Sequence, residues 1–223
     1  MKPTPLSLAA VAAVLVTFVR AIFFTPLEAT QGPAQKILYV HAPAAWVAFM
    51  AFGLVGLASV LYLWLKEDRL DRVAESSAEV GVVFTTVVLI TGPLWGKPIW
   101  GAYWTWDARL TLTLFLWFIY VAYMVLRGAV DDPGTRARYS AVLGILGALL
   151  VPFIHLSVYL FRTLHPRPIV MKPSAPSLPG EMLATLLLAF AAFTLLYIAL
   201  LRARYRFAVE RDGAHPPETF DAR

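Results

Sequence analysis

The chain has 223 residues, 59% of them hydrophobic and only 15% charged, with a formal net charge of +5, no cysteine and a mean hydropathy of +0.68. Soluble domains carry about 25% charged residues; here long uncharged runs account for the deficit, so the chain reads as a polytopic membrane protein. The missing cysteines exclude disulfides, thiolate metal sites and cysteine nucleophiles, and the basic residues cluster at the ends of apolar runs rather than forming the continuous basic face that nucleic acid needs.

Six apolar segments reach the roughly 20 residues that a spanning helix requires: 6–24, 38–65, 74–94, 110–127, 139–161 and 182–201. The first follows Lys2 as a secretory signal would. Arg20 interrupts it before any small-residue cleavage site, however, and the run resumes with AIFF, so it is read as an uncleaved span. The second is longer than a bilayer is thick and must tilt or project. The breaks TPLEATQGP, KEDRLDR, DDPGTRAR and HPRPIVMKPSAPSLPG carry turn chemistry. The expected fold is therefore all-α, with one six-helix membrane domain over residues 1–201 and a polar tail over 202–223 that ends disordered. An even number of spans puts both termini on one side. That side holds twelve Lys and Arg (Lys2, Lys66, Arg69, Arg72, Arg127, Arg136, Arg138, Arg202, Arg204, Arg206, Arg211, Arg223) against seven on the other (Arg20, Lys36, Lys97, Arg109, Arg162, Arg167, Lys172). The positive-inside rule places both termini in the cytoplasm and turns the connections 25–37, 95–109 and 162–181 outward.

The outward connection 95–109 lies within WGKPIWGAYWTWDARLT, which holds four of the seven tryptophans, Trp95, Trp100, Trp104 and Trp106, together with Tyr103. Aromatic residues belt membrane interfaces, but a belt spreads over many helix ends and both faces, whereas these crowd one connection. Gly96, Pro98 and Gly101 let it bend. Asp107 can cap the fourth span and Arg109 can pair with it. Alternatively, the rings offer a π-rich platform for a planar ligand whose carboxylates a nearby cation holds. A porphyrin fits that description, and so does a quinone.

The histidines discriminate between these. His41, in YVHAPAAW, opens the second span, and His165, in RTLHPRP, follows the fifth; both lie on the side of the tryptophan connection. Imidazole is a standard haem-iron ligand, and a pair can hold the metal from both faces. His155 lies ten residues before His165, about 15 Å along a helix, too far to share one iron easily. A polar group at its depth needs a partner, and a hydrogen bond across the bundle is expected. His215 is expected to be solvated in the tail. No phosphate-binding loop, HExxH or nucleophile elbow is present.

These residues resemble a known family. WGKPIWGAYWTWDARLT is similar to the tryptophan-rich WWD signature of haem-handling membrane proteins in cytochrome c maturation, and its ending, WDARLT, resembles the CcmC members rather than the larger synthetases, where WDPKE is expected. LYVHAPAAW and PFIHLSV…RTLHP extend the likeness over most of residues 37–201. The resemblance implies a non-enzymatic protein of the bacterial inner membrane that binds haem b at the outer face and passes it to a periplasmic (CcmE-like) haem chaperone. It also implies ATP-binding cassette (CcmA/CcmB-like) and small membrane (CcmD-like) partners. By position, His41 and His165 match the axial ligands, and Trp95, Trp100, Trp104, Trp106 and Asp107 the platform. Tyr103 stands where tryptophan can occur. Arg109, Lys97, Arg162 and Arg167 are candidates for the propionates. Two rivals remain: a haem lyase, for which a larger chain with a substantial external domain would be expected, and a membrane component of a transporter with no haem site.

Overall fold

The computed structural model describes residues 3–170 and 172–214. Its elements are helices α1 (Pro5–Val19, continued by a π-helical turn Arg20–Phe24), α2 (Leu38–Leu65, entered through a 3-10 turn Pro33–Ile37), α3 (Asp68–Trp100), α4 (Ala108–Ala129), α5 (Pro133–Leu160) and α6 (Gly180–Ala214). All six are long and apolar enough to cross a membrane. Their starts follow from local chemistry. Thr4 and Ser7 form a reciprocal capping box with Pro5 in the first turn of α1, and Asp132 accepts from the Thr135 N–H at 2.7 Å, with Pro133 next, at the start of α5.

α2 is the central helix, packed against α3, α5 and α6, while α1 leans on α6 and α4 on α5. Its buried residues Ala44, Val47, Ala48, Ala51, Phe52, Val55 and Ser59 recur at the helical period. Small residues let neighbours approach. A Cβ on Gly81 of α3 would lie 2.6 Å from the Phe52 ring, and one on Gly147 of α5 would lie 2.6 Å from the Tyr120 ring. Phe52 stacks on Tyr120 with centroids 3.8 Å apart. Apolar helices gain little from packing against one another in lipid, so close contact and shared polar groups hold them. Tyr120 Oη donates to the Gly144 carbonyl at 2.9 Å, and Ser77 Oγ donates to the Ala51 carbonyl at 2.8 Å while lying 2.8 Å from Tyr197 Oη.

Two sequence expectations are corrected. KEDRLDR is mostly helix: Lys66 takes the left-handed conformation (φ 57°) that ends α2, Glu67 follows, and α3 starts at Asp68. Asp68 and Asp71 in its first turn complement the helix dipole. The connection expected at 95–109 is shorter, because α3 continues through Trp100 and the non-helical part is Gly101–Asp107. The polar tail begins as helix, since α6 continues to Ala214; its end, where disorder was expected, and His215 lie outside the described residues.

The continuation of α6 is held by charge. Arg127 of α4 grips Asp71 with both terminal nitrogens (2.7 and 2.9 Å) and reaches Glu75 at 3.0 Å. Arg211 of α6 grips the same Glu75 at 2.7 and 3.0 Å, Arg72 reaches Asp212 at 2.9 Å, and Arg204 pairs with Glu79. Asp71, Glu75 and Glu79 stand four residues apart on one face of α3, which is why a single helix can anchor two others. The Arg127 side chain is only 5% exposed. Arg127→Ala leaves the half-buried Asp71 without its partner and Glu75 with Arg211 alone, and is expected to destabilise the detergent-solubilised protein by about 3 kcal/mol. Thermal unfolding would show this as a lowered midpoint, and an unchanged midpoint would mean the network is not structural.

Candidate functional site

The antiparallel order of the helices brings the start of α2, the end of α3, the start of α4 and the segment after α5 to the end of the bundle opposite the ion pairs. His41, in the second turn of α2, faces the last turns of α3. Its Nδ1 lies 2.9 Å from Thr91 Oγ1, and its ring meets Trp95 edge to face at 5.8 Å. Trp95 Nε1 donates to Gln31 Oε1 at 3.0 Å, so the connection between α1 and α2 fixes the indole that abuts the histidine. Gln31 is held in turn by a tight turn in which the Glu28 carboxylate accepts from the Thr30 and Gln31 N–H groups.

The other predicted aromatic residues divide by exposure. Trp100, on the last turn of α3, lies against Gly96, where an added Cβ would come within 2.9 Å of its ring. Tyr103 and Trp106 are 58% and 77% exposed, while Trp104 is half-buried. Trp104 and Trp106 meet edge to face at 5.7 Å. The rings thus pack as their quadrupoles prefer, with open faces on single exposed rings rather than on one continuous platform.

Asp107 has both of the roles that its position allows. Its Oδ1 accepts from the Leu110 N–H at 3.0 Å and caps α4. Its Oδ2 accepts from Thr163 Oγ1 at 2.8 Å, and that hydroxyl accepts from the backbone N–H of His165 at 3.0 Å. One carboxylate therefore ties the tryptophan connection to the segment that carries His165. The His165 Nδ1 lies 2.9 Å from the Pro166 carbonyl, which can only accept, so Nδ1 carries the proton and Nε2 keeps its lone pair. Burial within the site, reinforced by the Arg109 charge, pushes the His165 pKa down to about 4 from the ordinary 6.5.

Arg109 lies close enough to His41, His155 and His165 for its charge to act on all three. Among the described residues it forms no ion pair with Asp107, contrary to the simplest expectation; Asp107 is held instead by the α4 cap and Thr163. Its Nη1 is buried without a hydrogen-bond partner. The other cations are committed or open: Lys97 Nζ donates to the Gly101 carbonyl at 2.9 Å and lies 5.4 Å from the Tyr103 ring centre, Arg167 covers the Tyr159 ring, and Arg162 is exposed. His155 corrects an expectation. It is half-buried on α5, and among the described residues no hydrogen bond crosses the bundle from it.

Sequence reading missed Thr91, Gln31 and Thr163. Each is a small or neutral polar residue whose partner lies far along the chain, and a threonine in an apolar helix ordinarily satisfies itself by bonding back to its own turn.

Fold and site together define a polytopic membrane protein with a histidine–tryptophan centre at one end of its bundle. The chain belongs to the heme exporter protein C (CcmC) family, whose model matches residues 2–217. It is 41% identical to the heme exporter protein C of Bradyrhizobium diazoefficiens over 186 residues, covering 83% of this chain and 71% of that protein. It is 37% identical to the heme exporter protein C of Haemophilus influenzae over 204 residues, covering 91% of this chain and 82% of that one. A putative cytochrome c biosynthesis ccmC-like mitochondrial protein of Marchantia polymorpha is 35% identical over 173 residues, covering 78% of this chain and 73% of the relative.

Two outcomes test this geometry. Thr163→Val should cut the link to Asp107 and speed hydrogen exchange at the His165 amide, with Thr163→Ser near wild type; equal protection in both variants would mean that the link does not hold the segment. By NMR, the His165 imidazole of the ligand-free protein should titrate near pH 4. Because the folded value lies below the unfolded one, its contribution to stability is complete above about pH 6.5 and is lost as the pH falls toward 4. Titration near 6.5 would mean a solvated ring.

Proposed function

We propose that this protein binds haem b at the outer face of the cytoplasmic membrane, between His41 and His165, and delivers it to a periplasmic haem chaperone for c-type cytochrome assembly. In this reading the chain is a multi-pass inner-membrane protein with both termini cytoplasmic, as the distribution of Lys and Arg supports. The membrane domain spans 1–201, with α6 carrying the chain beyond it. The observation that carries the proposal is the donor set: two imidazoles and one buried guanidinium nitrogen without a hydrogen-bond partner, gathered at one end of the bundle. Haem needs these groups, namely axial nitrogen ligands for iron and a cation for a propionate.

Each residue then has a task. His41 and His165 offer nitrogen ligands to the iron. Arg109 meets a propionate with the nitrogen that nothing in the protein satisfies, which singles it out from Lys97, Arg162 and Arg167. Trp95 backs His41, Trp104 and Trp106 wall the site, and Trp100 and Tyr103 complete its rim. Asp107 acts through Thr163 on the placement of His165. Bound haem supplies the iron and the vinyl groups that later chemistry consumes, and that covalent chemistry belongs to partners. The family name and those of the relatives speak of haem export; the ATP-binding cassette (CcmA/CcmB-like) and small membrane (CcmD-like) partners and the CcmE-like chaperone are what the resemblance of the tryptophan-rich signature implies.

Purified protein is expected to show a Soret band. His41→Ala and His165→Ala should each convert a six-coordinate spectrum to a five-coordinate one and loosen haem, and the double variant should lose it. Arg109→Gln should keep both ligands and weaken binding by about 1.5–3 kcal/mol, as loss of a charged hydrogen bond does. A wild-type spectrum in the double histidine variant would end this reading.

A further inference from the structure

We propose that Thr91 and Gly92 of α3 form a seat that fixes the tautomer and ring position of His41, leaving its Nε2 as the nitrogen available to a ligand. The inference rests on the haem reading for its purpose, though not for its geometry. A threonine hydroxyl has one proton. That of Thr91 is directed back along its own helix, 2.7 Å from the Val87 carbonyl and 3.4 Å from that of Val88. Toward His41 Nδ1, at 2.9 Å, the oxygen is therefore an acceptor, and Nδ1 must carry the imidazole proton. In a neutral ring the other nitrogen then holds the lone pair. Among the described residues nothing hydrogen-bonds to it.

Gly92 supplies the space. A Cβ there would lie 3.3 Å from His41 Cε1 and 3.9 Å from Nδ1, so the ring rests against bare backbone at this point. Trp95, one turn further along α3, closes another side edge to face. Three successive contacts on one helix thus limit ring rotation, and the rigid pairing of α2 with α3 transmits them. His165 reaches the same protonation pattern by another route, through the Pro166 carbonyl. Two imidazoles from unrelated elements therefore both present Nε2. An outer partner on a ligating histidine fixes its orientation and raises its basicity, and its removal typically costs about 10–100-fold in affinity.

Thr91 is on this account a positioning residue, and the test begins on haem-free protein. Histidine labelled with ¹⁵N, assigned by difference against the His41→Ala variant, reports which ring nitrogen carries the proton. Wild type and Thr91→Ser should show His41 protonated at Nδ1. Thr91→Val should lose that preference. In haem-loaded protein Thr91→Val should weaken binding by about 10–100-fold and shift the reduction potential, with Thr91→Ser restoring both. An Nε2-protonated His41 in wild type overturns the proposal whatever the variants do. So does a Thr91→Val protein that keeps the wild-type tautomer, or one that binds haem as wild type does. Should the double His41/His165 variant retain haem, the haem reading fails alone, since the tautomer is decided without haem.

Discussion

Within an apolar bundle each hydrogen-bonding group has to be satisfied by the protein itself, and most of this structure follows from that constraint. Thr17, Thr85, Thr86 and Thr113 each donate to the carbonyl four residues back. Trp46 donates to Thr194 of α6 and Trp117 to Thr86 of α3. Arg20, the cation that interrupts the first span, donates through Nε to Thr185 of α6, and Thr185 also meets Thr25 at 2.8 Å. That exchange explains how α1 tolerates an arginine and why it leans on α6. Against this background the unsatisfied buried atoms are informative. Trp104 Nε1, Thr105 Oγ1, Arg109 Nη1 and Thr111 Oγ1 all fall within eight residues of one another. The stretch that concentrates the tryptophans also concentrates the open polar valences, as a site awaiting a polar-edged ligand would.

The two ends of the bundle treat charge in opposite ways. Where α3 begins, three carboxylates on one face are matched by arginines of α4 and α6. Where α3 ends, Asp107 accepts from a helix-cap N–H and a threonine hydroxyl, and among the described residues Arg109 forms no ion pair with it. A buried ion pair is expensive to break on one side, which suits a scaffold. A buried guanidinium nitrogen without a partner is costly, and on the proposed reading Arg109 Nη1 would be satisfied by an anion that arrives with the ligand.

The spans were legible because hydropathy over twenty residues is a strong signal, and that His41 and His165 lie at one end of the bundle followed from topology alone. Helix ends were less legible. Charge density marked KEDRLDR as a break, yet Asp68 and Asp71 are good first-turn residues, and Arg127, the partner of Asp71, lies far away in the chain. Pro98 and Gly96 suggested that WGKPIW was irregular, but α3 absorbs both and yields only at Gly101, where φ is 77°. Thr91, Gln31 and Thr163 could not be singled out from sequence at all. Their importance lies in what they face across space, and many other hydroxyls in the chain look the same one residue at a time.

The same contacts give the two histidines unequal support. His41 sits on a continuous helix, against Thr91, Gly92 and Trp95 of another, and moving it means separating α2 from α3. His165 belongs to the irregular segment between α5 and α6, where Ile169, Val170 and Leu178 pack against the same buried cluster as Trp95 and the Thr163–Asp107 link fixes the approach. Opening and closing are cheapest where few buried contacts must be broken. On the proposed reading, one ligand is anchored in the bundle while the other is borne by a segment whose hold on the tryptophan connection runs through one carboxylate. Such an asymmetry would suit a carrier: two ligands would keep the cargo in place, and release by the loop-borne one would leave it held by the other alone.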